Sequence, residues 1–354
     1  MVAMSGGVDS SVAAVLLAEQ GYEVCGATLK LFGNEDIGMD SRSRTCCSLF
    51  DVQDARDVAR KLGFAHYVFN FGTHFEQDVI ARFAESYSKG ETPNPCIDCN
   101  RFIKFDKMLE RAQLLEQDYI ATGHYAQIEL DEKSGRYLLK KAKDHLKDQT
   151  YVLYAMTQEQ LSKTLFPLGG LQKNGVRRIA EDRGLVNARK PDSQDICFVP
   201  DGDYANFLES VMGVAAVPGS FIDKHGNVLG THKGIIHYTI GQRKGLGLSF
   251  EKPKYVIGKD KKTNTVTLGD EEDLYSNSMT VGDVNFISID QLKEPMNVSV
   301  KTRYSQRETP AVLRPLSNGD IAVTFSSPQR AATPGQAAVF YDGDTVVGGG
   351  TILG

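Results

Sequence analysis

The chain has 354 residues, more than one ordinary compact core holds, and this length indicates two or three folded units. Its composition, with 41% hydrophobic and 24% charged residues, is typical of a globular protein, and no apolar run approaches the length of a membrane span, so we expect no membrane partner. The net charge of -5 excludes a protein that is basic throughout. Residues 224–262 are nevertheless net positive by seven, which predicts a surface that attracts a phosphate backbone, unless it is an ordinary lysine-rich surface.

The N-terminus and the cysteines indicate the compartment. The first residues lack the basic region, the apolar stretch and the cleavage site of a secretory signal, so we expect a cytoplasmic protein. Six cysteines are too sparse for a disulfide scaffold, and four of them form the close pairs Cys46/Cys47 and Cys96/Cys99. In a reducing compartment such pairs indicate metal or redox chemistry, although the role of Cys46 and Cys47 stays open.

The first 125 residues alternate short apolar runs with helical periodicity, which predicts a parallel sheet covered by helices. Buried strands are predicted over residues 24–31, 67–71 and 119–122. Helices are predicted over residues 52–62, 75–83 and 105–112, and Gly63 is a natural end for the first of them. The N-terminal half is therefore predicted to be α/β.

The next segments are predicted to be irregular or β. Residues 90–100 are rich in Gly, Pro and Asn, which predicts a loop that carries Cys96 and Cys99. A hairpin is predicted over residues 126–139 and is expected to project from the sheet. Beyond residue 200, short β runs between Gly, Asn and Asp turns predict a small barrel or sandwich, with a joint between two units at residues 274–278.

A phosphate-binding loop is predicted at the start of the chain, where Ser5–Ser10 joins an apolar strand to an amphipathic helix. Two glycines let backbone N–H groups approach a pyrophosphate, and the helix N-terminus adds a positive dipole. The lysine of a Walker loop is absent, while Asp9 would suit a magnesium ion held on the phosphates. The alternative is a plain Gly-Gly turn between a strand and a helix.

Three cysteines form a second candidate site. Cys96 and Cys99 lie three residues apart, and Cys197 follows much later in the chain. Such thiols could carry a persulfide and release its sulfur, or three thiolates could hold a [4Fe–4S] cluster with one open iron. A structural metal site for Cys96 and Cys99, and a buried apolar environment for Cys197, are the alternatives.

The motifs resemble a known family. Ser5-Gly6-Gly7-Val8-Asp9-Ser10 resembles the PP-loop of ATP pyrophosphatases, which adenylate an oxygen and release pyrophosphate. Together with motifs that occur in one order along the whole chain, it looks like the tRNA-specific 2-thiouridylase family. Those motifs are Asn94–Asn100, Lys147–Gln149, Asp195–Phe198, Gly241–Gly247, Arg303-Tyr304 and Thr333–Gln336.

The resemblance implies an α/β fold in which a parallel-sheet PP-loop domain is followed by a small central β domain and a C-terminal β-barrel. We expect these units over residues 1–200, 201–276 and 277–354. The implied activity is ATP-dependent 2-thiolation of the wobble uridine, position 34 of the tRNA anticodon. ATP adenylates the uracil C2 oxygen, and sulfur then displaces AMP.

Site residues follow from the matching positions. The implied ATP-binding residues are Ala3, Met4, Ser5, Gly6, Gly7, Val8, Asp9, Ser10, Leu29 and Gly123. The implied tRNA-binding residues are Asn94, Pro95, Cys96, His124, Lys147, Asp148, Gln149, Arg303, Tyr304 and Gln336. Cys197 would carry the persulfide, and Cys99 would form a transient disulfide with it.

Cys96 departs from the pattern, because many members have Asp there. The set of Cys96, Cys99 and Cys197 would instead suit a [4Fe–4S] cluster, and both sulfur routes stay open. The implied cofactors are ATP and Mg²⁺, with the cluster as an alternative. The implied partners are the tRNA anticodon stem-loop and a sulfur donor, such as a cysteine desulfurase or a persulfide relay protein.

Two other functions compete with this one. A PP-loop amide ligase of the argininosuccinate or guanylate synthetase type would use the loop but would have no use for Cys99 and Cys197. A non-catalytic iron–sulfur protein that binds tRNA would release no AMP or pyrophosphate.

Overall fold

A computed structural model describes residues 1–33, 49–192, 196–199 and 201–354. The Cys46/Cys47 pair lies outside the described residues. Within these ranges no helix combines the length and the apolar character that crossing a membrane would require.

The N-terminal domain is built on a five-stranded parallel sheet, whose strands lie in the order β3 (His66–Asn70), β2 (Gly26–Lys30), β1 (Val2–Ala3), β4 (Ile120–Ala121) and β7 (Thr164–Leu165). Its elements are β1 (Val2–Ala3), α1 (Val8–Glu19), β2 (Gly26–Lys30), α2 (Leu49–Leu62), β3 (His66–Asn70), α3 (Gly72–Phe75), α4 (Ala81–Ser88), α5 (Pro95–Asp98), α6 (Met108–Leu114), β4 (Ile120–Ala121), β5 (Gln127–Asp131), β6 (Arg136–Lys140), α7 (Gln158–Ser162), β7 (Thr164–Leu165) and α8 (Lys173–Asp182). The α/β prediction is confirmed, and β1 at the centre of the sheet positions the loop that follows it.

The three predicted helices form, but one predicted strand is less buried than expected. The helix that was predicted to stop at Gly63 is α2, which ends at Leu62. The apolar run at residues 67–71 gives β3, in which Tyr67 is 41% and Val68 38% exposed. The expectation of a buried strand is wrong here because β3 is the edge of the sheet and has a neighbour, β2, on one side only.

The predicted loop over residues 90–100 is wrong for its second half. Pro95–Asp98 forms α5, and a π-helix over Cys99–Lys107 continues it into α6, so that Cys96 and Cys99 lie on helical turns. Asn94 caps this helix by accepting a hydrogen bond from the Cys96 N–H, and Pro95 occupies a first-turn position. Both are standard helix-start signals, which outweigh the loop-like composition of the segment.

The remaining elements form a small β domain and a barrel, as predicted. They are α9 (Tyr204–Ser210), β8 (Gly219–Ile222), β9 (Val228–His232), β10 (Tyr255–Asp260), β11 (Thr265–Gly269), β12 (Tyr275–Phe286), β13 (Met296–Lys301), β14 (Thr309–Pro315), β15 (Ile321–Arg330), β16 (Ala337–Asp342) and β17 (Thr345–Ile352). The central sheet has the order β10-β11-β8-β9, and the barrel runs β12-β15-β14-β13-β16-β17 and closes through β12 and β17.

The hairpin β5–β6 does not project freely from the parallel sheet. Lys140 of β6 pairs with Thr345 of β17, so that the hairpin extends the sheet of the barrel. The strand β16 is buried along Ala337–Tyr341 instead of alternating, because its residues supply two cores. Ala338 and Phe340 pack inside the barrel, while the intervening side chains pack against the N-terminal domain.

Candidate functional site

The loop after β1 has the geometry of an anion site. Gly6 has φ +72, and a Cβ there would lie 2.3 Å from the Asp51 carbonyl oxygen, so the loop requires glycine at this position. Gly7 is the N-cap of α1. Because glycine has no side chain, it does not cap the N–H groups at the start of the helix. The N–H groups of the first helical turn point toward the loop and favour a negatively charged ligand.

The loop is held from inside by its own serines and by a neighbouring glycine. Ser10 Oγ accepts from the Ser5 N–H at 3.3 Å, and Ser11 Oγ donates to the Gly7 carbonyl at 3.0 Å. Gly123, after β4, packs so tightly that a Cβ would lie 2.6 Å from the Ser10 nitrogen. Of the other predicted ATP-binding residues, Met4 and Val8 are buried in the core, which leaves only their backbone near the loop.

A later segment of the chain wraps around the loop. Asn187, 3% exposed, donates to the carbonyls of Gly6 and Gly7 at 2.9 and 3.2 Å. Lys190 donates to the Gly6 carbonyl at 3.1 Å and is ion-paired with Asp51 and Asp54. Burial alone would lower the pKa of Lys190, but the two carboxylates outweigh it and raise the pKa.

A buried lysine lies at the other side of the loop. Lys173 is at the start of α8, is 7% exposed, and donates to both oxygens of Asp9 at 2.7 Å. It also pairs with Asp192 at 2.8 Å, and Tyr125 donates to Asp9 at 2.8 Å. Burial and the Asp9 carboxylate raise the pKa of Tyr125, so its hydroxyl stays protonated as a donor.

Asp192 joins three cations at the edge of this site. It pairs with Lys147 and Arg177, both at 2.9 Å, besides Lys173. Burial alone would raise the pKa of Asp192, but the bonds from Lys147 and Lys173 outweigh it and lower the pKa to about 2. Lys147, a predicted tRNA-binding residue, is thereby placed beside the nucleotide loop.

The three cysteines differ in their surroundings. Cys99 is 8% exposed and lies in an apolar cluster with Phe83 and Phe198, against which the half-buried Cys197 also packs. Cys96 is exposed. Within residues 1–33, 49–192, 196–199 and 201–354, no three His, Cys, Asp or Glu side chains are grouped so that they could hold a metal ion. The set of Cys96, Cys99 and Cys197 as cluster ligands stays a prediction. Both oxygens of Asp9 are engaged by Lys173.

Several predicted tRNA-binding residues of the N-terminal domain are bonded internally. Asp148, 8% exposed, accepts from the Ala142 N–H and the Thr150 hydroxyl. Gln149 accepts from the Tyr125 N–H at 2.8 Å. His124, 9% exposed, lies 2.7 Å from Thr122 Oγ1, and burial lowers its pKa well below the usual value, so the ring is neutral.

Two of the barrel's predicted tRNA-binding residues, Tyr304 and Gln336, contact the N-terminal domain. Tyr304 is 44% exposed and stands edge-on to Tyr151, with its ring centroid 6.1 Å away. Gln336 donates to the Thr92 carbonyl at 2.7 Å. Arg303 donates to the Ala331 carbonyl at 3.0 Å. Asn94 and Pro95, two further predicted tRNA-binding residues, stand at the start of α5, where Asn94 is the N-cap and Pro95 the first helical residue.

The basic segment 224–262 divides into paired and exposed residues. Lys224 and Lys254 pair with Asp273 and Asp270, and burial lowers the pKa of Lys259 to about 8. The exposed positive charges of the segment outside these ion pairs are Lys233, Arg243, Lys244, Lys252, Lys261 and Lys262.

Sequence reasoning missed Asn187, Lys190 and Lys173. Their polar atoms hold the loop, yet they lie more than 160 residues after it and belong to no motif with recognisable spacing. The one available signal was the missing Walker lysine, because a phosphate loop that lacks its own cation needs one from elsewhere in the chain.

Comparisons with known proteins cover the whole chain. Residues 1–201 match the family described as "tRNA methyl transferase HUP domain", residues 205–270 its PRC-barrel domain, and residues 276–352 an "aminomethyltransferase beta-barrel domain". A protein of Acetivibrio thermocellus named tRNA-specific 2-thiouridylase MnmA is 56% identical over 99% of this chain and 98% of its own length. One of the same name from Clostridioides difficile is 52% identical over 99% and 97%.

Proposed function

Because this chain belongs to the tRNA-specific 2-thiouridylase family, we propose that it uses ATP to adenylate the C2 oxygen of the wobble uridine and replaces that oxygen with sulfur. Membership makes the chain a tRNA-uridine 2-sulfurtransferase with a nucleotide-binding PP-loop domain. The descriptions of the domain families mention methyl transfer, whereas the full-length relatives are named 2-thiouridylases. A loop suited to a nucleotide and two thiols in one apolar cluster favour the second activity over methyl transfer and over the amide ligase.

The observation that carries the proposal is the cation-lined loop. The loop offers backbone N–H groups, and Lys173 and Lys190 stand on its two sides in place of a Walker lysine. ATP carries several negative charges, and lysines in partly buried surroundings interact with phosphate more strongly than lysines in water. We assign ATP phosphates to this loop, with Ala3–Ser10, Leu29 and Gly123 around them.

Adenylation solves the chemical difficulty of the reaction. A uracil carbonyl oxygen is a poor leaving group, whereas the same oxygen linked to AMP leaves as part of a stable phosphate monoester. The C2 oxygen attacks the α-phosphorus, the α–β bond breaks, and pyrophosphate leaves. The loop N–H groups and the two lysines would stabilise the negative charge that gathers on the phosphates.

The sulfur step uses two cysteines. A Cys197 persulfide attacks C2, the C2–O bond breaks, and AMP leaves with the original oxygen. The Cys99 thiolate then attacks the Cys197 sulfur, which breaks the persulfide S–S bond, leaves 2-thiouridine and forms a Cys99–Cys197 disulfide. An external thiol must reduce that disulfide with two electrons before the next turnover.

The surroundings of the cysteines favour the persulfide route over a cluster. Cys99 and Cys197 pack in the same apolar cluster, while Cys96 is exposed. No step of the proposal passes through iron. Mg²⁺ is assigned to the ATP phosphates and not to a protein-held site, because Asp9 is already engaged by Lys173 and Tyr125.

The tRNA would approach from the side on which α5 carries Cys96. Tyr304 is exposed there, and the exposed lysines and Arg243 of segment 224–262 would contact the backbone of the anticodon stem-loop. Single-stranded anticodon bases unstack at low cost, so the uridine can enter the site. The tRNA substrate favours the cytoplasm as the location, and a cysteine desulfurase or persulfide relay protein would supply the sulfur.

The proposal separates into two measurable steps. In the Cys99→Ser and Cys197→Ser variants, tRNA-dependent pyrophosphate release should persist for at least one turnover while 2-thiouridine formation is lost. Cys25→Ser is the matched control, since Cys25 bonds to Gln117 away from the apolar cluster, and it should keep both steps. Thiolation that survives in the double variant would contradict the cysteine assignment.

A second measurement decides between the sulfur routes. Protein purified without oxygen is assayed for iron and acid-labile sulfide and is then tested for thiolation before and after iron removal, with a persulfide donor supplied. The persulfide route predicts activity in the iron-free protein. Activity that depends on iron would refute it and support the cluster.

A further inference from the structure

A turn of the barrel holds the segment that leads to Cys96 and Cys99. The turn, residues 331–336, joins β15 to β16. The Thr92 N–H donates to the Pro334 carbonyl at 2.9 Å, and the Gln336 side-chain amide donates to the Thr92 carbonyl at 2.7 Å. Both backbone polar groups of Thr92 are therefore bonded to the barrel.

The approach of the two backbones requires glycine. Gly335 has φ +87, and a Cβ at this position would lie 2.8 Å from Glu91 Cβ and 3.0 Å from the Thr92 nitrogen. A side chain there would be strained by its own backbone and would also push the 91–92 segment away. The glycine thus sets the distance between the barrel and the N-terminal domain at this point.

The turn itself is rigidly supported. Arg303 donates to the Ala331 carbonyl and the Thr333 hydroxyl, both at 3.0 Å. The Gly335 N–H donates to the Ile352 carbonyl at 2.9 Å, and the Ile352 N–H donates to the Gln336 carbonyl at 2.8 Å. Since Ile352 belongs to β17, the turn is fixed to the closed barrel on one side and to Thr92 on the other.

Thr92 lies two residues before Asn94, the N-cap of the helix that carries Cys96 and continues through Cys99, here called the cysteine helix. Asn94 caps that helix through the Cys96 N–H, and the π-helix beginning at Cys99 continues it. A displacement of Thr92 would therefore move the start of the helix and change how Cys99 sits in its apolar cluster. Misplacement of a reacting group by about 1 Å can cost about 100-fold in rate.

We propose that the turn 331–336 is a positioning clamp for the cysteine helix, with Gly335 and Gln336 acting through the backbone of Thr92. The catalytic consequence rests on the function proposed above, but the clamp itself does not. The clamp gives Gln336 a positioning role that the expected contact with tRNA does not include, because one N–H of its amide bonds to the Thr92 carbonyl.

The test compares Gly335→Ala and Gln336→Leu with Gly319→Ala. Gly319 lies in the β14–β15 turn with φ +90 and has nothing within 4 Å of a Cβ, so this control adds the same kind of strain without a clash. Hydrogen exchange over residues 91–99 and the alkylation rate of Cys99, resolved by peptide mass spectrometry, report the clamp directly. Single-turnover thiolation and tRNA affinity report its consequence.

The clamp predicts faster hydrogen exchange over residues 91–99 and faster Cys99 alkylation in both test variants, but not in Gly319→Ala. Thiolation should fall about 10- to 100-fold while the Kd for tRNA changes less than twofold. Gln336→Leu would refute the clamp if hydrogen exchange stays unchanged while the Kd for tRNA rises by the same factor by which thiolation falls. Gln336 would then be a tRNA contact. Should Gly335→Ala fail to fold, Gln336→Leu decides the question alone.

Failure of the proposed function gives a different result. If the unaltered protein forms no 2-thiouridine, the function fails, while the exchange and alkylation experiments still confirm or refute the clamp.

Discussion

Replacement of Lys173 by Met tests whether a buried lysine takes the place of the Walker lysine. Lys173 is 7% exposed, and its ammonium group bonds to both oxygens of Asp9. When it is removed, the phosphates lose a cation and face the uncompensated carboxylate of Asp9. A hydrogen bond to a charged group contributes about 1.5–3 kcal/mol, so the Kd for ATP should rise about 10- to 150-fold.

The size of the effect on stability should be smaller than for a fully buried ion pair. Asp192 keeps Lys147 and Arg177, and Asp9 keeps the hydroxyl of Tyr125. We therefore expect the free energy of unfolding to fall by about 1–3 kcal/mol, below the 3–5 kcal/mol typical of a broken buried pair. The fold should survive and permit binding measurements.

Calorimetric titration with ATP and with adenosine, without tRNA, separates phosphate binding from folding. Lys173→Met should weaken ATP binding and leave adenosine binding unchanged, while Lys173→Arg should retain most of the ATP affinity. Arg178→Met removes one exposed charge from the same helix and should have little effect. An unchanged ratio of ATP to adenosine affinity in Lys173→Met would refute the phosphate role and leave a purely structural ion pair.

Three further predictions concern the loop and its surroundings. Asp192→Asn should lower the free energy of unfolding above about pH 4, because the ionised Asp192 carboxylate stabilises the fold. The difference from the parent should shrink toward pH 2, where this carboxylate becomes protonated. Urea unfolding across pH measures the difference, and a pH-independent difference would contradict the prediction. Gly6→Ala should abolish ATP binding, because the added Cβ would clash with the Asp51 carbonyl and displace the loop. It should also lower the free energy of unfolding by at least about 1–2 kcal/mol, the cost of a left-handed backbone. Unchanged ATP affinity in a calorimetric titration would refute the loop geometry. The free energy of unfolding should fall less steeply below about pH 6.5 in His124→Gln than in the parent. Burial keeps the native ring neutral, so protonation of His124 in the parent favours the unfolded state. Parallel pH profiles of variant and parent would count against this.

The loop and the fold class were predictable because local sequence determines them. The Gly-Gly pair at a strand–helix junction needs only its neighbours to form, and helical spacing specified α2 to its last residue. The helix at Pro95 was also open to prediction, since Asn94-Pro95 is an N-cap signal that the loop-like composition obscured.

Features that depend on tertiary packing could not be predicted. The exposure of β3 follows from its position at the sheet edge, which apolar periodicity cannot report. Lys173, Lys190 and Asn187 reach the loop only because α8 and the following segment fold back over α1. The pairing of β6 with β17 likewise joins strands of two different domains.

The fate of the uridine oxygen tests the central claim most directly. A tRNA substrate labelled with ¹⁸O at C2 of the wobble uridine is thiolated, and the AMP, pyrophosphate and water are analysed by mass spectrometry. Adenylation predicts one ¹⁸O atom in the phosphate of AMP for each 2-thiouridine formed. Label in inorganic phosphate, pyrophosphate or water, with unlabelled AMP, would contradict it.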